Sequence, residues 1–388
     1  MMKVLIAIDS FKGSISSIKG SEAISLGIKD IYPEAEVLTL PLADGGEGTV
    51  EALVQATGGK LVEKEVVGPL KETARAIYGI LGDGKTAVIE VAAACGLPLV
   101  PYSQLNPFLT TTYGVGELIS DAIEKGCREF VIGLGGSATN DAGVGMLQAL
   151  GFRFLNENNE EVGLGAKALL EIQKIDRLHV NERLKECTFK VACDVNNPLY
   201  GPEGASYVFG PQKGATPEMV KQLDLGLKHF AEVVLYESGT DIHNISGAGA
   251  AGGLGAAFSG FLNADLQSGI ELILEIIEME KNMKNTDFVI TGEGKLDGQT
   301  SMGKAPLGVA QLAHKYNIPV LALAGGITEE TAVLNELGIT SYFSIVNAPM
   351  SLEEAMDSKM AYNNLRRTTN QLFRLLKAVN AETGINIR

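Results

Sequence analysis

The chain has 388 residues, room for two domains, and its 45% hydrophobic and 20% charged residues give the composition of a soluble globular protein rather than a disordered one. A formal net charge of −15 repels nucleic-acid backbones and anionic membranes, so neither is expected as a partner, and an anionic substrate has to be met by local positive charge. The four cysteines, Cys95, Cys127, Cys187 and Cys193, form no C-x-x-C pair and no zinc spacing, which points to a reducing cytoplasm, and no window approaches the roughly 18 apolar residues of a membrane span.

In chain order, residues 3–8 (KVLIAI) read as a buried parallel strand, 16–31 as an amphipathic helix with Ile18, Ala23, Leu26 and Ile31 on one side, and 36–40 as a second strand. Three apolar runs then follow closely, KLVEKEVVGPL, ARAIYGIL and TAVIEVA, with only turns between them, which predicts antiparallel pairing. Near the C-terminus the strand–helix–strand rhythm returns in 286–290, a helix around 305–316, and strands at 319–326 and 340–346; one long helix is expected over 352–380. The pattern predicts two unlike α/β domains. An outer three-layer parallel-sheet domain is built from both chain ends, 1–61 plus 286–388, and a mixed-sheet α/β domain over 62–285 is inserted in it.

The stretch Glu129–Ala149, EFVIGLGGSATNDAGVGMLQA, carries the strongest single signal. An apolar strand ends in glycines, then polar residues, then a small-residue helix. Such a turn lets backbone N–H groups approach an anion. Gly135, Gly136, Ser137, Thr139 and Asn140 are its candidate ligands. The same residues also read as a dinucleotide-binding turn through Gly133, Gly135 and Ala138, with Glu157 after FRFL near the ribose-binding position; that reading would make the chain an NAD(P)-dependent dehydrogenase of a small hydroxy acid. A noncatalytic hydroxy-acid sensor is the other alternative. Two further glycine patterns lack the context their motifs require. Gly79-Ile-Leu-Gly-Asp-Gly84-Lys85-Thr86 spells a phosphate-cradling loop, but the β-branched run after it predicts a hairpin turn at 82–84. Gly247 to Gly252 lacks the buried strand that a dinucleotide turn requires, and reads as a close backbone approach.

Polar loops sit where open α/β sheets place ligands, just past the carboxyl ends of strands. They contain Asp9, Ser10 and Lys12; Asp44; Asp194 and Asn196; and Glu293, Lys295 and Asp297. Each acidic residue taken singly also reads as a helix cap or turn former. Glycine, lysine and carboxylate together suit phosphate and Mg²⁺ chemistry, which needs neither a catalytic histidine nor a nucleophilic cysteine. His179, His229, His243 and His314 lie outside these loops.

Seven motifs, DSFKGS, PLADGGEGT, GLGGSATND, ACDVNNPL, GAGAAGGLGAA, TGEGKLDGQT and GKAPLGVA, follow one another across nearly the whole chain, and in this order the sequence resembles the bacterial glycerate kinase family. The resemblance implies ATP-dependent phosphorylation of D-glycerate with Mg²⁺, and flavodoxin-like and restriction-endonuclease-like domains with the active site between them. Ala142 departs from it, standing where the family's run usually reads glycine. On this reading Asp194 accepts the hydroxyl proton of glycerate, with a metal-ligand role open beside it. Lys12, and after it Lys295, meets negative charge, Glu293 and Asp297 hold Mg²⁺, and Gly135–Asn140 grip either the ATP phosphates or the substrate carboxylate. Asp9, Asp44 and Asp297 are the other carboxylates available as base.

Overall fold

A computed structural model describes residues 1–298 and 300–383 and divides the chain into two compact units, Met1–Asp44 with the chain from Ile270 onward, and Gly45–Gly269. The strands in chain order are β1 Lys3–Ile8, β2 Glu36–Thr39, β3 Lys60–Val67, β4 Thr73–Ile80, β5 Thr86–Glu90, β6 Glu129–Gly133, β7 Arg153–Leu155, β8 Lys174–Asp176, β9 Thr188–Ala192, β10 Asp265–Gln267, β11 Phe288–Leu296, β12 Val320–Ile327 and β13 Ser341–Ser344.

The unit made from the chain ends holds a five-stranded parallel sheet in the order β13-β12-β11-β1-β2. Its interior strand β1, between β11 and β2, is apolar and buried from Val4 to Ile8, as expected of a strand covered on both faces. Val4, Ile6 and Ile8 pack with Ile24 and Ile28 of helix Ser17–Lys29 and with Leu365 and Phe373 of helix Ser358–Thr383. Leu26, expected on that helix's inner side, is 36% exposed, because it lies about 200° around the helix from Ile24. Counted within the unit, the strand order is 2-1-3-4-5. The right-handed connections therefore leave β1 and β11 in opposite directions and open a crevice at their carboxyl ends.

The helix expected over 352–380 is two helices, Leu352–Met356 and Ser358–Thr383. Ser351 and Glu354 form a capping box on the first, and Asp357, at φ −58° and ψ 126°, leaves helical geometry and accepts a hydrogen bond from Met360 N at 2.8 Å. A second cap inside the apolar period thus splits it.

The other unit contains a six-stranded mixed sheet, β10-β9-β6-β5-β4-β3, and a small antiparallel pair, β7-β8. β10, β9, β6 and β5 run parallel; β5, β4 and β3 are antiparallel, as the closely spaced runs indicated. The expected domain boundaries were 61/62 and 285/286, whereas the units divide at 44/45 and 269/270. Helix Thr49–Thr57 packs on β3, β4 and β5, which draws it to the mixed sheet. At the other end Ile270 packs against Gly308 in the unit of the chain ends. No helix among the described residues is long and apolar enough to cross a membrane.

The phosphate-loop look-alike is the β4–β5 hairpin. Asp83 Oδ1 accepts from the backbone N–H groups of Lys85 and Thr86 at 2.8 and 3.0 Å, and Oδ2 from the Thr86 hydroxyl at 2.6 Å. The donors that a phosphate would need from that turn are thus already taken by the Asp83 carboxylate. Lys85→Ala should leave phosphoryl transfer near the wild-type rate; a loss of about 100-fold, equivalent to about 2.7 kcal/mol of transition-state stabilisation, would show that the loop binds phosphate after all.

Candidate active site

Past the end of β1, Asp9 is only 3% exposed. Its backbone N–H donates to Gly292 O at 2.9 Å, which ties it to β11, and Ser10 N–H donates to its Oδ1 at 2.6 Å. Burial, then the negative charge of Asp44, push its carboxyl up to about 7; Glu293 adds to the push, while Ser10 and Lys12 oppose it. Lys12 donates to Asp44 Oδ2 at 2.8 Å. Desolvation works against the Lys12 ammonium, but Asp44, Asp9 and Glu293 outweigh it and raise its pKa. Glu293, on β11, is also raised by burial; the Thr300 hydroxyl donates to its Oε1 at 2.6 Å and, with Lys304, tempers the rise. Thr300 Oγ1 also accepts from Asp297 N–H at 3.2 Å, and Lys295 lies 3.4 Å from Asp297 Oδ2. One unit therefore brings together Asp9, Ser10, Lys12, Asp44, Glu293, Lys295 and Asp297, at the crevice its strand order creates. Gln299, the remaining polar residue of that last loop, lies outside the described residues.

In the other unit, the turn after β6 uses its acceptors internally. Gly136 O accepts from Leu97 N–H at 2.9 Å, Ala138 O from the Thr110 hydroxyl at 2.8 Å, and Thr139 O from Lys213 Nζ at 2.6 Å. Gly135 and Gly136 are exposed while Ser137 to Asp141 are buried. With its carbonyls tied inward and its glycines outward, the turn is suited to an anion at its amides. Asn140 is also built in rather than presented outward: its Nδ2 donates to Ser206 Oγ at 3.0 Å. Asp141 accepts from Thr112 N–H and its hydroxyl at 2.9 and 3.0 Å and from Gly143 N–H at 3.2 Å, which pins the turn to the start of helix Val144–Ala149. The Gly247–Gly252 pattern packs behind this turn: Gly252 O accepts from Ala142 N–H at 3.0 Å, and a Cβ at Gly252 would strike Thr139 O. It is a close backbone approach.

Asp194 and Asn196 follow β9 and are exposed. Asp194 Oδ1 accepts from Gly269 N–H at 2.9 Å, and Asn196 Oδ1 from the Ser246 hydroxyl at 2.8 Å. Glu157 does not stand where a dehydrogenase needs it. The strand before it, β7, pairs with β8 in a separate sheet, while β6 has β5 and β9 as its parallel neighbours, so Glu157 does not follow a strand beside the glycine turn.

Two residues escaped the sequence reading. Glu90, at the end of β5 beside Gly133, accepts from Val50 N–H at 2.9 Å, and burial lifts its carboxyl to about 7. Lys213 is 2% exposed; besides Thr139 O, its ammonium donates to Ser137 Oγ at 3.1 Å. Its only sequence signal is a lysine bracketed by glycines in FGPQKGA.

Among the described residues, no group of three or more His, Cys, Asp or Glu side chains is placed to hold a metal ion unaided. Mg²⁺ asks for less, one or two carboxylates plus phosphate oxygens and water. The Asp9–Asp44–Glu293 group fits it, since like charges crowded in a buried place are relieved by a cation.

Burial draws Lys213 down to about 8, against the pull of Cys95 and Asp141. Because this folded value lies below the unfolded 10.5, the unfolded chain binds more protons between pH 8 and 10.5, so the lysine makes stability rise with pH across that window. Lys213→Met removes a burial penalty of about 3 kcal/mol together with two hydrogen bonds of comparable total worth. Near pH 7 the variant should unfold at almost the wild-type urea midpoint; near pH 10 the wild type should be the more stable by up to about 3 kcal/mol. Parallel pH slopes for the two proteins would contradict this account of the buried ammonium.

Residues 4–377 match the model of the glycerate kinase family. The chain is 47% identical over 376 residues to the glycerate kinase of Bacillus subtilis (strain 168), covering 97% of this chain and 98% of that one. It is 46% identical over 371 residues to the glycerate 2-kinase of Escherichia coli (strain K12), covering 96% and 97%. The crystal structure of putative glycerate kinase 2 from Salmonella typhimurium LT2 superposes with a TM-score of 0.90 at 46% identity, over 98% of this chain and 99% of that one. With its motifs, fold and acidic crevice in agreement, the chain belongs to the glycerate kinase family.

Proposed function

We propose that the chain transfers the γ-phosphoryl group of ATP to D-glycerate, with Mg²⁺, in the cytoplasm. The observation that carries the reading is the acidic and basic group at the crevice between β1 and β11, in a chain whose family is known. The name of the Escherichia coli relative points to the 2-hydroxyl as acceptor. In the reaction the glycerate oxygen forms a bond to the γ-phosphorus, the bond from that phosphorus to the β–γ bridging oxygen breaks, ADP leaves, and the hydroxyl proton passes to a carboxylate. Little covalent work falls to the protein, so positioning and charge dominate. Lys12 and Lys295 offer positive charge to phosphate oxygens, held in place by Asp44 and Asp297. Glu293 with Asp9 or Asp297 would hold Mg²⁺, which when bound neutralises phosphate charge. The exposed Gly135–Gly136 amides offer an anion site, backed by Ser137, Thr139 and Asn140.

Asp194 is the proposed proton acceptor, since it follows a buried strand and is exposed. Asp9 is a second reading, favoured by a carboxyl lifted to about 7, the range that suits a general base at neutral pH.

Purified protein with Mg²⁺, ATP and D-glycerate should release ADP and form 2-phosphoglycerate, read by a coupled assay and phosphorus NMR. Glycerate-independent ADP release, or NAD reduction with a hydroxy acid in its place, would defeat the reading. Asp194→Asn should lower kcat by roughly 10²–10⁴ with little change in the KM for glycerate. Near-normal turnover in that variant would leave Asp194 as the anchor of Gly269 and pass the proton to Asp9.

A further inference from the structure

The unit made from the chain ends encloses a cavity of about 590 Å³ at the carboxyl edge of its parallel sheet. Its lining combines two chemistries. Asp9 and Glu293 with Lys12, Lys295 and Lys304 supply charge, while Ile345, Val346, Met350, Leu352 and Met356 supply apolar surface. That apolar wall is the segment between β13 and helix Ser358–Thr383. It passes over the loop after β1: a Cβ on Gly13 would lie 2.8 Å from Met356 Cε, the flexible end of that side chain, and the φ of +75° at this position favours glycine. Leu352 and Met356 are 76% and 38% exposed. Two large apolar side chains turned to solvent at the mouth of a charged cavity ask for an apolar ligand surface.

Glycerate offers none. Each of its carbons carries oxygen, and pressing those oxygens on methionine and leucine would leave them without hydrogen-bond partners. It is also too small. The cavity holds the equivalent of roughly twenty waters at about 30 Å³ each, in the range that takes a ligand of nucleotide size. A purine has two apolar faces, and its polyphosphate needs the cations that Lys12, Lys295 and Lys304 supply.

We infer that this cavity is the nucleotide subsite, with the base against Met350, Leu352 and Met356 and the polyphosphate over Lys12, Lys295 and Lys304, and that glycerate does not bind on the apolar wall. The inference rests on the kinase reading for the identity of the phosphoryl donor. The division of labour follows from chemistry: polarisable methionine side chains pack on a flat ring, and lysines neutralise phosphate. The carboxylates at the same end make room for the cation that accompanies the polyphosphate.

Calorimetric titration of the full-length protein with ADP and Mg²⁺, with adenosine, and with glycerate tests this, using wild type, Leu352→Glu, Met356→Glu and the milder Leu352→Ala, all checked by thermal melting. Both glutamate variants should raise the ADP Kd and the KM for ATP by about tenfold or more, a change of about 1.4 kcal/mol, and abolish adenosine binding, with the glycerate KM within about twofold of wild type. Leu352→Ala should weaken ADP binding by about threefold, and decides the matter if the glutamate variants fail to fold. Unchanged ADP Kd and ATP KM across folded variants would overturn the assignment, and a rise confined to the glycerate KM would give the cavity to the acid. If the wild type binds ADP in this way yet releases none in response to glycerate, the subsite stands and the acceptor reading falls.

Discussion

A carboxylate buried among like charges is the constraint on which the site depends. Asp9 sits just past the end of β1, tied by its own N–H to β11, with Asp44 and Glu293 as negative neighbours. Its displacement from 3.8 to about 7 corresponds to an order of 4 kcal/mol between its two protonation states. At 3% exposure little of that is screened. Because the folded value is raised, its contribution is complete at acid pH, below the unfolded value, and is lost as pH rises through about 7. The exposed Lys12–Asp44 pair repays little, since such pairs are worth at most about 1 kcal/mol. The protein holds this arrangement at a cost in stability that a bound cation offsets, which is the usual relation between a functional cluster and the fold around it.

The second unit spends its strain on backbone geometry. Ala142 adopts φ +52° and Ala251 φ +51°, in the left-handed region that costs an L-residue about 1–2 kcal/mol. Ala142 is the position where the family resemblance called for glycine, and the left-handed backbone is the reason. Its N–H reaches Gly252 O only because the two segments lie backbone to backbone. That contact, with Asp141 and Lys213 beneath the turn, keeps the Gly135–Gly136 amides in a fixed orientation.

Much of this was legible in the sequence. Apolar runs such as KVLIAI mark buried parallel strands, the alternating runs from Lys60 mark the antiparallel part, and the polar loops fall at strand ends because parallel sheets place their ligand sites there. What stayed hidden depends on contacts distant along the chain. Lys213 meets Ser137 across 76 positions, and nothing local distinguishes a buried lysine from a solvated one. Glu90 reads as the end of a strand until Val50 docks on it. Asp357 breaks a helix through a cap that the apolar period conceals, and the unit boundaries follow from the packing of helix Thr49–Thr57 rather than from composition.

The most direct measurement is the titration of the Asp9 carboxyl by carbon-13 NMR, assigned with Asp9→Asn, in the protein alone and with ADP and Mg²⁺. A midpoint near 7 is expected in the free protein, moving down by a unit or more once the cation and nucleotide are bound, since positive charge favours the ionised form. A midpoint near 4 in the free protein, unmoved by either ligand, would contradict it.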